Sequence, residues 1–103
     1  MPKGYWIAHI DVSDPDAYKK YVEANAAAFA KFGGRFIVRA GDFEIVEGSS
    51  RSRHVVIEFP DHGAAAACYR SPEYRRAMAF REAASEGDLI IVAGYDGPQP
   101  GES

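Results

Sequence analysis

Three residues of different chemical types could form a reactive or binding site: His9, Glu58 and Arg39. A histidine side chain titrates near neutral pH, so His9 could act as a general acid or base. Glu58 could fix the tautomer of the imidazole, and Arg39 could hold a carboxylate or enolate oxygen through two parallel hydrogen bonds. These residue types suit a site for a small anionic or aromatic molecule, with catalysis by His9 and Glu58 as one interpretation.

The same residues also have a purely structural interpretation. Glu58 and Arg39 could form an ion pair in a subunit interface, with His9 hydrogen-bonded to either, because buried charges are generally paired. Tyr18, Tyr21 and Tyr69 are further candidates for ligand contacts, although each also suits a place in the core. Tyr69 lies next to the Ser71-Pro72 break, where the chain could move to admit a ligand.

Composition excludes several classes of function. The chain has 103 residues, of which 47% are hydrophobic, and predicts one globular domain over residues 1–95 with a flexible tail at 96–103. The net charge is −3 and the basic residues are scattered, which argues against nucleic-acid binding. No apolar run approaches the length of a membrane helix. The single cysteine, Cys68, predicts a buried thiol in a reducing compartment, and hence a cytoplasmic protein.

Known cofactor and metal patterns do not occur in the sequence. The histidines and acidic residues lack metal-ligand spacing, so we expect no metal. No dinucleotide fingerprint or phosphate-binding loop occurs, so we expect no cofactor.

Hydrophobic periodicity predicts the elements that must position these residues. Alternation with period two predicts strands over residues 5–12, 35–39, 53–59 and 88–95, with 43–47 continuing the second strand beyond a kink. Helical spacing predicts helices over 14–32 and 62–84, the second interrupted at Ser71-Pro72. The order β-α-β-β-α-β predicts a ferredoxin-like α+β fold, in which one antiparallel sheet carries the helices on one face.

The open face of that sheet is the expected location of the site. The first and third strands are neighbours in this plan, so we expect His9 and Glu58 side by side, with Arg39 reaching in from the second strand. Half of this face is apolar, and nothing else in the chain covers it. A second copy of the sheet is the simplest cover, which predicts a homodimer with a ligand cavity between its subunits.

Four stretches of the chain resemble the domain-of-unknown-function family 1330 of the dimeric α+β barrel superfamily. They are GYWIAHIDVSDPDAYKKYV, FGGRFIVRAGDFEIVEG, VVIEFPDHGAA and YRSPEY, and the resemblance as a whole covers about Gly4 to Gly94. The resemblance implies a homodimer whose two sheets pack into a barrel-like assembly. Members of this family have no established activity, and the wider superfamily includes cofactor-free monooxygenases, muconolactone-isomerase-like enzymes, haem-handling proteins and amino-acid-sensing modules.

Three functions therefore stay open at the level of the sequence. The first is a dimer that binds a small anionic or aromatic metabolite. The second is a cofactor-independent monooxygenase or isomerase that uses His9 as acid or base. The third is a structural dimer without a ligand.

Overall fold

A computed structural model describes residues 2–102 and contains one four-stranded sheet and three helices. The elements are β1 (Gly4–Val12), α1 (Pro15–Phe32), β2 (Arg35–Arg39), β3 (Arg53–Phe59), α2 (His62–Arg70), α3 (Pro72–Ala84) and β4 (Ser85–Ala93). The strand order is β2-β3-β1-β4, and every neighbouring pair is antiparallel. This topology confirms the expected ferredoxin-like α+β fold.

The core lies between the helices and one face of the sheet. Alternate residues of β1 and β3 point into it, as their periodicity predicts: Trp6, Ala8, Ile10, Val55, Ile57 and Phe59 are all buried. Trp6 is at its centre, and its ring meets those of Phe29, Tyr69 and Tyr74 edge to face. The Trp6 indole nitrogen also donates to the Ala65 carbonyl oxygen at 2.8 Å, which ties α2 to the sheet.

Capping residues fix the two ends of α1. The Asp14 carboxylate accepts a hydrogen bond from the Ala17 backbone N–H, and Pro15 occupies the first turn. Gly33 closes the helix in the left-handed conformation, with φ of 74°. The chain then enters β2 along the outer edge of the sheet.

The second helical region is divided at Ser71-Pro72, as expected. The Ser71 hydroxyl donates to the Cys68 carbonyl oxygen at 2.7 Å and accepts from the Tyr74 backbone N–H at 3.1 Å, so it ends α2 and caps α3. Cys68 is fully buried, and burial raises the pKa of its thiol to about 12. A thiol that stays protonated at neutral pH is a poor nucleophile.

Two expectations about β2 are wrong. The irregularity lies inside the strand, between Phe36 and Val38, and residues 43–47 are not a strand. The additional residue at Ile37 is a β-bulge, so Val38 pairs with Val56 on the open face. The expected continuation is instead an exposed segment that contains Phe43 and Val46.

The last strand begins earlier than its composition suggests, and its register decides which of its residues face the core. β4 starts at Ser85, directly after α3. Its register pairs Leu89 with the buried Ala8, and Ile90 with Ile7 on the open face. Ile90 is consequently 56% exposed, whereas Leu89 lies on the helix side of the sheet.

None of the helices within residues 2–102 is long and apolar enough to cross a membrane.

Candidate functional site

A cavity lies between α1 and the helix-covered face of the sheet. Its floor is formed by inward-pointing residues of the four strands, and its roof by Tyr18, Tyr21, Asn25 and Phe29 of α1. The centre of a water-sized sphere can move through about 30 Å³ of this space. One water needs roughly 10–15 Å³ on this measure. The cavity in this state therefore has room for about two waters, and an organic ligand would have to widen it. We call it the helix-side cavity.

The wall of the helix-side cavity is strongly basic. Arg39 of β2, Arg53 of β3 and Arg81 of α3 all line it, whereas no Asp or Glu of residues 2–102 does. Arg53 and Arg81 are half-buried, whereas Arg39 is exposed, so the lack of a paired carboxylate matters most for Arg53 and Arg81. Three guanidinium groups without a carboxylate in the same wall therefore favour an anion in the cavity.

Arg53 is the arginine that has a buried hydrogen-bond donor without an acceptor within residues 2–102. Its guanidinium carbon lies 5.2 Å from the centre of the Tyr18 ring. Its Nε is shielded from solvent and has no hydrogen-bond partner among the described residues. A buried donor without an acceptor costs about 1–3 kcal/mol, which an acceptor atom in the cavity would recover.

A short chain of hydroxyl groups holds Arg81. The Tyr21 and Tyr74 hydroxyl oxygens lie 2.9 Å apart, and the Arg81 Nε donates to the Tyr74 hydroxyl at 3.2 Å. Burial raises the pKa of both phenols, and each phenol is therefore protonated at neutral pH. The Tyr18 pKa is likewise raised, mainly by burial and against the opposing effect of Arg53. The cavity thus offers neutral phenols beside fixed cations.

Arg39 lies on the opposite face from the expected one. The bulge at Ile37 reverses the alternation of β2, so Arg39 pairs with Val55 on the helix side of the sheet. Its guanidinium carbon is 4.2 Å from the centre of the Phe36 ring, and the side chain is exposed. Arg39 therefore stands at the boundary between the helix-side cavity and solvent.

The expected adjacency of His9 and Glu58 is wrong. Both residues lie on the open face, but His9 pairs with His54, whereas Glu58 pairs with Tyr5 at the other end of the ladder. Four strand positions separate the two sites by about 13 Å. The His9 Nδ1 lies 2.8 Å from the His54 Nδ1, and the Tyr5 hydroxyl donates to Glu58 at 3.2 Å. Arg39 joins neither pair, because it is on the other face.

The other predicted ligand contacts divide between two places. Tyr18 and Tyr21 line the helix-side cavity together with Arg39. Tyr69 does not line it; its ring packs against Trp6 at 5.8 Å and under the Arg75 guanidinium at 5.5 Å. Three of the six residues considered from the sequence thus converge on one cavity.

The open face also carries a polar groove, in which Arg51 is paired with two carboxylates. The Arg51 guanidinium binds Asp11 at 3.0 Å and Asp88 at 3.1 Å. The hydrogen bond from the Ser52 backbone N–H, followed by those from the Ser52 hydroxyl and Arg51, holds the pKa of Asp11 below its usual range. Exposed ion pairs of this kind contribute little stability. No group of three or more His, Cys, Asp or Glu side chains within residues 2–102 is placed to hold a metal.

Arg53, Arg81 and Asn25 are cavity residues that the sequence did not single out. Arg53 sits within an otherwise apolar pattern, because it shares the period-two face of Val55 and Ile57. Asn25 is only 5% exposed within the buried stripe of α1. Polar residues embedded in an apolar periodicity were the signal that could have located this site.

The topology places this chain among small ferredoxin-like α+β proteins, and its cavity lies beneath the helices. The chain belongs to the family described as "Domain of unknown function (DUF1330)", whose model matches residues 3–95. The resemblance seen in the sequence is thereby confirmed. No curated protein matches the sequence.

Solved structures share this fold at low sequence identity. A protein of unknown function from Rhodopseudomonas palustris, RPA0582, is 18% identical, with a TM-score of 0.76 over 93% of this chain and 85% of that one. SnoaB, a cofactor-independent oxygenase from Streptomyces nogalater, is 15% identical, with a TM-score of 0.61 over 94% and 97%. A dimeric ferredoxin-like protein of unknown function from Thermobifida fusca is 17% identical, with a TM-score of 0.61 over 89% and 91%.

Proposed function

We propose that this protein binds a small organic anion in the helix-side cavity of each chain. The observation that carries the proposal is the composition of the cavity wall, which contains three arginines and no carboxylate. An anionic ligand would supply the missing negative charge and an acceptor for the Arg53 Nε. The proposal keeps the expected ligand chemistry and moves the site from the open face to the helix side.

A structural role for these arginines is the main competing interpretation. Arg39 stacks on Phe36 and Arg53 on Tyr18, and such contacts alone contribute about 0.5–2 kcal/mol. Stacking engages the flat face of a guanidinium, however, and leaves its N–H groups in need of acceptors. The unpartnered Arg53 Nε is the feature that stacking does not explain.

Catalysis with His9 as acid or base receives less support than binding. His9 lies on the face of the sheet opposite to the helix-side cavity, so it cannot reach a ligand there. The protonated phenols of Tyr18 and Tyr21 are the groups suited to donate hydrogen bonds to such a ligand. The likeness to SnoaB supports a common fold and does not by itself support oxygenase activity.

We also propose a homodimer through the open face. Val38, Val56, Ile7 and Ile90 are successive cross-strand partners, so they form one apolar row across all four strands. Val38 is 41% exposed and Ile90 is 56% exposed in the single chain. Solved structures described as dimeric have this fold, which is consistent with a second sheet as the cover.

Binding to arginine variants tests the cavity directly. A panel of small organic acids is screened by thermal shift, and the acids that raise the Tm of the wild-type protein are titrated against Arg53→Met. Because Arg53 is the principal partner of the anion, we expect its loss to weaken binding at least about tenfold. Arg35→Met is the matched control, since Arg35 pairs with Glu58 at the open face and does not line the cavity.

Two results would contradict the proposal. One is that every acid that binds the wild type binds Arg53→Met equally well. The other is that Arg35→Met weakens binding as much as Arg53→Met, because the effect would then reflect general charge.

A further inference from the structure

The two ends of the helix-side cavity differ in chemistry because of the register between β1 and β3. Ile10 pairs with Arg53 at one end, and Trp6 pairs with Ile57 at the other. The residues of α1 differ between the two ends in the same way, since Tyr18 lies beside Arg53 and Phe29 lies beside Trp6. The cavity thus has a cationic, phenolic end and an aromatic end.

The cationic end offers one guanidinium with a vacant hydrogen-bonding position. Arg53 carries the unpartnered Nε, whereas the Nε of Arg81 is already bound to the Tyr74 hydroxyl. Arg39 stays at the exposed rim, stacked on Phe36. A planar guanidinium fork can bind either a carboxylate or a phosphate through two parallel hydrogen bonds. The single guanidinium with a free donor supplies one positive charge, which matches a monocarboxylate better than a phosphate dianion.

The aromatic end is formed by the rings of Trp6, Phe29 and Phe36, and its nearest polar side chains are Asn25, one turn before Phe29 on α1, and Arg39, stacked on Phe36 at the rim. The Trp6 and Phe29 rings meet edge to face at 5.2 Å between centroids, and the Phe29 and Phe36 rings at 5.6 Å. The one polar atom of these three side chains, the Trp6 indole nitrogen, is already bound to Ala65. A flat ring continues such an edge-to-face cluster with favourable geometry, whereas a polyhydroxylated or phosphorylated chain would lose its water and find only Asn25 and Arg39 as new partners.

We infer that the ligand is a planar aromatic monocarboxylate, bound with its carboxylate at Arg53 and its ring at Phe29 and Trp6. This inference rests on the proposed function, because it takes the helix-side cavity as the binding site. The ligand is small, because the cavity has space for about two waters, and a ring would have to widen it, most readily at the exposed rim where Arg39 stacks on Phe36. Arg53 and Phe29 are therefore the residues that select charge and shape, respectively.

Calorimetric titrations with four probes test this class: benzoate, cyclohexanecarboxylate, benzyl alcohol and inorganic phosphate. We expect benzoate to bind, the saturated acid to bind at least fivefold more weakly, and the neutral alcohol and phosphate at least tenfold more weakly. Arg53→Met should weaken both organic acids. Phe29→Leu should weaken benzoate alone, and Phe36→Leu provides a second aromatic variant if Phe29→Leu does not fold by circular dichroism.

The outcomes separate this inference from the proposed function. Equal, Arg53-dependent binding of benzoate and cyclohexanecarboxylate would overturn the aromatic class and leave an organic-anion site. Arg53-dependent binding of phosphate as tight as that of benzoate would overturn the monocarboxylate. Binding of any probe that Arg53→Met leaves unchanged would overturn the helix-side cavity itself, and absence of benzoate binding would overturn the inference.

Discussion

At the scale of single residues, the face of a strand decides what an arginine can do. Arg53 and His54 are neighbours in sequence, yet Arg53 lines the helix-side cavity and His54 lies on the open face against His9. Alternation predicted these two faces correctly from the sequence. The interpretation of the sequence considered chemistry only on the open face and regarded the other face as core, so it did not consider Arg53.

Register is the second property that single residues do not reveal. The sequence correctly assigned His9 and Glu58 to the same face, but which residues face each other depends on the exact pairing of β1 with β3. A shift of a few positions in that pairing changes every cross-strand neighbour. The loop of residues 40–52 that joins β2 to β3 is long, so its length fixes no register.

Tyr74→Phe tests the hydroxyl chain behind Arg81. The Tyr74 hydroxyl is fully buried, bonds to Tyr21 and accepts from Arg81, so its removal leaves two buried polar groups without their partner. We expect a loss of about 1–3 kcal/mol in the free energy of unfolding, measured by urea denaturation. Tyr95→Phe is the matched control: this hydroxyl bonds to Pro98 at the exposed surface, and its loss should cost less than about 0.5 kcal/mol. Equal losses in the two variants would argue against the hydroxyl chain.

At the scale of elements, the strongest local signals predicted the structure well. Asp14-Pro15 at the start of α1, Gly33 at its end and the Ser71-Pro72 break all occur where expected. Each combines a capping group with a residue of restricted or unusual backbone freedom, so the information is local. These elements position Tyr18, which lies one turn beyond the cap of α1.

The elements that were misjudged depend on contacts distant in sequence. The bulge at Ile37 has no glycine or proline to mark it, because it arises from pairing with β3. That single additional residue moves Arg39 from the open face to the helix-side cavity. β4 begins at Ser85, since its first residues pair with Val12 and Asp11 although Glu86 and Gly87 have low strand propensity. Tertiary pairing overrides local preference at both places.

At the scale of the whole molecule, the composition of the open face supports the proposed homodimer. The apolar row of Val38, Val56, Ile7 and Ile90 lies between two polar rows, one with Arg35, Glu58 and Tyr5, and one with His54, His9 and Asp88. An apolar centre with a polar margin is the usual composition of a subunit interface. In a twofold dimer each residue of this row occurs twice.

Val56→Asp tests the open-face dimer. A carboxylate in the middle of the apolar row would be buried twice without a partner, so we expect monomers by light scattering coupled to size-exclusion chromatography. Val46→Asp is the matched control, since Val46 is 80% exposed in the loop between β2 and β3 and should leave the dimer intact. A dimer that survives Val56→Asp would exclude this face as the interface.

The most direct measurement of the central claim is the location of bound benzoate. Val55 and Val56 are adjacent in the chain but point to opposite faces of the sheet. Of these two valines, only Val55 lines the helix-side cavity, whose wall also contains Ile57. In protein with labelled valine, leucine and isoleucine methyl groups, we predict nuclear Overhauser effects from the benzoate ring to Ile57, which pairs with Trp6, and to Val55. Effects to Val56 and Ile7 instead would place the ligand on the open face and contradict the account.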